Sequence, residues 1–241
     1  MNSIRLSSRI VTPIIKAALS ILCRIDADAM RQVPRTGPLI IITNHVNFLE
    51  VPIMYTQLFP RDVVGLAKRE TWNNPLLGTL ANVWGAIPID RGATDLQAMR
   101  LALDALREGK ILVLAPEGTR SIDGCLRRGH GGVVQLALRS GAPILPVAHV
   151  GGEQFWNNLK HLRQTGFSLR VGQPFVVERP DAARLDAPAS VGREMRAHMT
   201  DAVMNRLALL LPPERRGVYA GAQAEATCYI RLLEPISDAP E

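Results

Sequence analysis

Short apolar runs bounded by breakers recur along the chain: Leu39–Thr43, Val63–Ala67, Ala86–Ile89, Ile111–Ala115 and Ile144–Val150. Runs of this length with few polar interruptions predict strands buried on both faces. Ser168–Val171 and Pro174–Val177 predict two later strands. Helical spacing falls between the runs. Leu96, Met99, Leu103 and Leu106 form a stripe that Thr94 or Asp95 can cap and Gly109 can end. Gly131–Arg139 predicts another helix, stopped by Ser140-Gly141. A Pro/Ala/Asp-rich linker over 180–190 precedes a final helix, Val191–Leu211, stopped by Pro212-Pro213. Alternation of this kind predicts an α/β sheet domain.

The first residues follow a different pattern. Over 4–25 the polar groups Arg5, Arg9, Thr12, Lys16, Ser20 and Arg24 recur every three or four positions, with isoleucine, valine, leucine and alanine filling the other faces. This predicts a basic amphipathic helix, kinked or broken at Pro13. Two readings stand side by side: a helix packed on the domain with a solvated basic stripe, or an interfacial helix whose stripe meets anionic headgroups. In the second, each cation near the surface contributes about 1 kcal/mol.

Charge sharpens the picture. The 241 residues carry 28 basic and 22 acidic groups, a net charge of +6, and a sequence pI near 9.7. Residues 1–35 hold six basic groups against two acids, whereas the last twenty hold Arg231 against four acids. An anionic partner is implied: nucleic acid, membrane or phosphorylated substrate. Nucleic acid is disfavoured, because the cations are not interleaved with stacking aromatics. Cys23, Cys125 and Cys228 are scattered and odd in number, which argues against a disulfide framework and a zinc knuckle. No metal site is expected. The longest uncharged run, Thr71–Ile89, contains Asn73, Asn74, Pro75, Gly78, Asn82 and Gly85, too many breakers and amides for a spanning helix. It faces either lipid or the core. No secretory signal is apparent in the N-terminal stretch, which Pro13 and Lys16 interrupt.

Two loops that follow predicted strands carry candidate chemistry. In Asn44-His45-Val46-Asn47-Phe48-Leu49-Glu50, a carboxylate follows a histidine by five residues. Such a pair can act as base and orienter: the carboxylate fixes the imidazole tautomer and leaves the other nitrogen to take a proton. A spacing of five does not align side chains on a regular helix, so the pairing requires His45 to sit in a turn just before one. In Glu117-Gly118-Thr119-Arg120-Ser121, Gly118 permits close backbone approach and Arg120 can fork onto phosphate. Taken alone, this segment reads equally well as a tight turn. The other histidines, His130, His149, His161 and His198, have no metal-ligand spacing, and surface or strand-end roles are expected for them.

With two further segments, these loops resemble the glycerolipid acyltransferases typified by lysophosphatidic acid acyltransferases. The family block N-H-x-S-x-x-D corresponds to Asn44 through Glu50. A block G-x-Φ-x-Φ-D-R, where Φ is apolar, matches Gly85 through Arg91. E-G-T-R-S is intact as Glu117–Ser121, and an apolar strand around proline matches Ile144-Leu145-Pro146-Val147. The likeness spans roughly residues 35–180. Two departures fall in the first block, Glu50 for the usual Asp and Asn47 for the frequent Ser.

The resemblance implies a mixed α/β sheet flanked by helices, with an N-terminal amphipathic segment over 1–34, an acyltransferase domain over 35–212 and a C-terminal tail over 213–241. It implies acyl transfer from acyl-CoA or acyl-carrier protein to a lysophospholipid hydroxyl, with 1-acyl-glycerol-3-phosphate the leading acceptor. The alternatives are another lysolipid, an amino-acid-headgroup lipid, or a non-catalytic lipid-binding protein. His45 and Glu50 are the expected catalytic pair; Lys68, Arg91, Glu117, Gly118, Thr119 and Arg120 are expected at the acceptor site. Apart from the thioester donor no cofactor is implied. The expected location is the cytoplasmic face of a membrane, peripheral or monotopic, against an anionic surface.

Overall fold

The structure, a computed structural model, describes residues 2–90, 95–121, 123–180, 192–223 and 228–234, with side chains from residue 7 onward. Among these the chain builds one nine-stranded mixed sheet with helices on both faces. Four strands form its parallel centre: β2 (Leu39–Ile42), β3 (Val63–Lys68), β4 (Ile87–Ile89) and β5 (Ile111–Leu114). They lie in the order β2-β5-β3-β4. β6 (Ile144–Val150) runs parallel to β2 on the other side. Its far edge pairs antiparallel with β7 (Thr165–Val171) and, at Ile144, with β8 (Phe175–Val177). β1 (Cys23–Asp26) completes that edge, parallel to β7.

The all-apolar Ile40, Ile41 and Ile42 explain why β2 sits centrally: each is fully buried and faces alternate sides. Ile40 and Ile42 join one core with α4 (Leu96–Arg107), α5 (Gly132–Ser140) and α7 (Arg193–Ala208). Leu39 and Ile41 join the other with α1 (Asn2–Leu22) and α2 (Glu50–Leu58). Trp84, just after α3 (Pro75–Val83), belongs to this second core and stacks on Tyr55 of α2 at 4.4 Å.

Several expectations need adjustment. α1 runs unbroken through Pro13. Its polar Thr12 is buried and accepts a hydrogen bond from Trp84 Nε1 (3.2 Å), so part of the polar stripe faces the protein. Ile10, Ile14 and Ile21 instead face outward, about 58–73% exposed. In α4 the buried stripe is Ala98, Ala102, Ala105 and Leu106, while Leu96 is exposed: the helix approaches the sheet on small residues. Asp95 caps it, accepting from the Ala98 N–H (2.9 Å). The expected tail does not begin at 213. β9 (Ile230–Leu232) pairs antiparallel with β8, and Tyr219 is buried, so this segment belongs to the domain. β1 and β9 are too short and too mixed in polarity to give a strand pattern. The Thr71–Ile89 run divides: Ala81, Trp84 and Ile87 are core, whereas Leu76 and Leu77 are exposed. Most of the linker over 180–190 lies outside the described residues.

Candidate active site

Parallel strands deliver their following loops to one edge of the sheet, where ligands bind in open α/β folds. The loops after β2, β3 and β5 emerge there, beside the end of β4. β2 ends at Ile42, α2 starts at Glu50, and His45 lies in the turn between them, as the five-residue spacing requires.

Glu50 is 3% exposed, and both its oxygens are occupied. Oε2 lies 2.6 Å from His45 Nδ1. Oε1 accepts the backbone N–H groups of Val46 and Asn47, each at 2.5 Å, and lies 3.2 Å from His149 Nε2. Burial alone raises a carboxylate's pKa, but the two imidazoles overcome it, and Glu50 is held down at about 2. It is therefore an acceptor at neutral pH. The His45 hydrogen is fixed on Nδ1, which leaves Nε2 as the basic nitrogen. The extra methylene of Glu over Asp is absorbed by folding the carboxylate back onto its own loop.

His149 lies on β6, 2% exposed and stacked on Phe167 at 5.4 Å. Its Nε2 is within reach of two acceptors, Asn44 O (2.7 Å) and Glu50 Oε1, so Nε2 carries the hydrogen. Nδ1 has no partner among the described residues. Burial pushes the His149 pKa down, but Glu50 and the Asn44 carbonyl more than reverse this, for a net rise. It sits at the end of β6, as one expectation has it, but it is buried rather than at the surface and holds Glu50. The available signal was a lone imidazole inside the otherwise apolar run Ile144–Val150. Asn47 adds a second tie to the same edge: its Nδ2 donates to Gly152 O (2.7 Å), while its Oδ1 accepts the Leu49 N–H (2.8 Å).

The loop after β5 holds the histidine from the other side. Glu117, 2% exposed, accepts the His45 N–H on Oε1 (3.0 Å) and the Arg127 N–H on Oε2 (2.9 Å). Ser121 N–H donates to His45 O (2.8 Å). With both oxygens turned inward, Glu117 positions the His45 backbone rather than facing an acceptor. Gly118 closes a turn on Ala115 O at φ +67°, and a Cβ there would lie 2.9 Å from the His130 ring. Both the conformation and the close approach require glycine.

His45 is thus in direct contact with both Glu50, through its ring, and Glu117, through its backbone. Thr119 and Arg120 are exposed on the neighbouring loop, and Lys68 is exposed at the end of β3, beside Ile89 of β4. They share the edge but do not touch the pair. Arg91 lies outside the described residues.

A family model described as Acyltransferase matches residues 24–150, more than half of the chain. A lyso-ornithine lipid O-acyltransferase of Pseudomonas aeruginosa is 33% identical over 133 residues, 55% of this chain and 48% of that protein. A 1-acyl-sn-glycerol-3-phosphate acyltransferase of Limnanthes douglasii is 38% identical over 120 residues, 48% of this chain and 42% of that protein. The chain therefore covers less than half the length of these two relatives. The Bacillus subtilis 1-acyl-sn-glycerol-3-phosphate acyltransferase matches more fully, at 27% identity over 80% of this chain and 91% of that protein. The fold is similar to the crystal structure of the 1-acyl-sn-glycerophosphate acyltransferase PlsC from Thermotoga maritima. The TM-score is 0.59 at 19% identity, over 81% of this chain and 76% of that one. The matched span contains the His45–Glu50 pair and the Glu117 clamp, and the chain belongs to the Acyltransferase family.

Proposed function

We propose that the chain transfers an acyl group from a thioester, acyl-CoA or acyl-carrier protein, to the hydroxyl of 1-acyl-glycerol-3-phosphate. The observation that carries this reading is the buried Glu50 carboxylate on His45 Nδ1, which leaves His45 Nε2 as a base in a partly open turn. As the acceptor hydroxyl oxygen attacks the thioester carbonyl, Nε2 takes its proton. The C–O bond forms, the C–S bond breaks, and the imidazolium returns the proton to the leaving thiolate. A positioned base of this kind contributes about 10²–10⁴-fold. Lys68, Arg91, Thr119 and Arg120 supply the acceptor's phosphate contacts; Glu117 and Gly118 shape the site by holding its loops.

The reading includes a peripheral association with an anionic cytoplasmic membrane face through α1, whose outward Ile10, Ile14 and Ile21 lie beside Arg9 and Lys16. No helix among the described residues is long and apolar enough to cross a membrane. An amphipathic helix lying in the interface needs no such length.

A second acceptor is favoured by one observation, the name of the Pseudomonas relative, which acts on a lyso-ornithine lipid. The deciding experiment incubates the purified protein with 1-acyl-glycerol-3-phosphate or lyso-ornithine lipid, and with acyl-CoA or acyl-carrier protein, followed by product mass spectrometry. Phosphatidic acid is the expected product. Acylation of the amino-acid lipid alone would replace the acceptor, and no product with either would overturn the reading.

A further inference from the structure

Opposite the end of α1, the chain makes a short tip that the site does not use. α6 (Phe155–Lys160) leads through Leu162 into β7, and residues 155–164 hold Lys160 and Arg163 with no acid. Three of its apolar side chains face outward: Trp156 at 58%, Leu159 at 36% and Leu162 at 94% exposure. Scattered exposed apolar residues need no explanation, but these are clustered and one of them is strained.

Leu162 occupies the left-handed position of a helix-ending motif. Its N–H donates to Leu159 O (3.1 Å), the Arg163 N–H donates to Asn158 O (2.9 Å), and Leu162 itself has φ 52°. Glycine is the usual residue here, because a Cβ is disfavoured at positive φ. A large apolar side chain held almost wholly in water, at a position that favours glycine, gains nothing within the fold. Strain of this kind points outward, to something the side chain touches.

The tip is continuous with α1. Gln164 Nε2 donates to Ser20 O (3.2 Å) and Ile21 O (3.0 Å), which joins the tip to the helix end that exposes Ile21. It is also tied to the catalytic loop, since Trp156 packs on Phe48 at 5.5 Å and Phe48 lies two residues before Glu50. α1 has the same chemistry, with Arg9 and Lys16 and no acid over 2–22.

We propose that Trp156, Leu159 and Leu162 form a second contact with the anionic bilayer. They enter the interface while Lys160 and Arg163 meet lipid headgroups, so that the membrane is held at two points with the His45 loop beside one of them. This rests on the reading of α1 as a membrane-surface helix. Charge complementarity and continuity with the α1 face favour a bilayer over a protein partner.

Leu162→Gly separates this role from a structural one. It removes the apolar side chain and relieves the backbone, so the melting temperature rises by roughly 2–4 °C. Binding to vesicles containing phosphatidylglycerol falls about tenfold, in line with burying one leucine side chain. Trp156→Phe, which keeps the Phe48 contact, loses the part of the emission that brominated-chain lipids quench. Lys160→Glu with Arg163→Glu weakens binding to phosphatidylglycerol vesicles more than to phosphatidylcholine ones. Ile14→Asp reports on α1 in the same assay. If Ile14→Asp weakens vesicle binding while Leu162→Gly and the charge reversal leave it at wild-type strength, the tip contact is overturned and the α1 reading stands. If wild type binds neither vesicle, both fail.

Discussion

Asn44 and His149, 105 positions apart, hold each other by three hydrogen bonds. The Asn44 amide donates to His149 O (3.0 Å) and accepts the His149 N–H (2.9 Å), while His149 Nε2 donates to Asn44 O (2.7 Å). The pair locks the start of the turn that carries His45 to the end of β6, and it also brings His149 to within 3.2 Å of Glu50. The proposed base–orienter pair, His45 and Glu50, is therefore set by a neighbouring strand as well as by its own loop.

Substitution of His149 tests this lock. His149→Leu removes the donor to Asn44 and Glu50 and is expected to lower kcat about 10–100-fold, the range seen when an outer partner of a functional group is removed. KM changes little, because His149 is buried away from the acceptor. His149→Gln restores an N–H near the Nε2 position and recovers a large part of the loss. Equal defects in the two variants, matched by equal losses of melting temperature, would reduce His149 to a packing residue.

At Glu50 the charge and the arm length separate. Glu50→Gln leaves an amide facing two backbone N–H groups and His45, and is expected to lower kcat by at least about 100-fold. Glu50→Asp retains substantial activity, because it keeps the charge and loses only reach. Steady-state rates of both variants check this; wild-type activity in Glu50→Gln removes the carboxylate from the mechanism.

Glu117 makes a different prediction, since it acts on backbone. Glu117→Ala leaves the His45 and Arg127 N–H groups without their acceptor and costs about 1–3 kcal/mol of stability. Both the melting temperature and kcat fall, whereas Arg120→Ala leaves the melting temperature unchanged. Arg120→Ala instead raises KM about tenfold for a phosphorylated acceptor, the loss of one charged hydrogen bond, and much less for an acceptor without phosphate.

The pH dependence follows from the signs of the two buried shifts. A carboxylate held at about 2, below its ordinary 4.5, contributes stability that is present above 4.5 and lost as pH falls toward 2. The raised His149 value contributes stability that is gained as pH falls and lost as pH rises through it. The gap in melting temperature between wild type and Glu50→Gln should therefore widen as pH falls through the imidazole range, then close toward pH 2. Thermal melts across a pH series measure this, and a gap that narrows steadily from neutral pH contradicts the assignment.

How much of this was legible in the sequence depended on range. β2, β5 and β6 announce themselves because strands buried on both faces must be apolar throughout. His45 and Glu50 could be paired because the block Asn44–Glu50 resembles that of the acyltransferases; the spacing of five permits the pair only with His45 in a turn, and does not by itself select it. His149 could be placed near a strand end but not given a role, since its partners lie more than ninety residues earlier and the one local signal, an imidazole in an apolar run, does not name them. α1 shows a further limit. Periodicity reveals that two faces exist, but contacts distant in sequence, Trp84 on Thr12 and the core around Leu19, go with Thr12 turning inward and Ile10, Ile14 and Ile21 outward. α4 is legible in part: Leu106 is buried and Met99 and Leu103 pack against the core, but Leu96 is exposed and the closest approach to the sheet is made by alanines that the pattern does not single out.

The position of β1 bears on how the protein is made. β1 follows α1 directly, yet among the described residues it pairs with β7, with Cys23 opposite Thr165. Synthesis proceeds from the N-terminus, and pairings so distant in sequence close late. Ribosomes therefore release α1 long before the strand that anchors β1 exists, and for that interval the basic helix stands without its sheet edge. On the proposed reading of α1 as a membrane-surface helix, attachment would come before completion of the sheet edge, so that a nascent chain would fold against the surface where it acts.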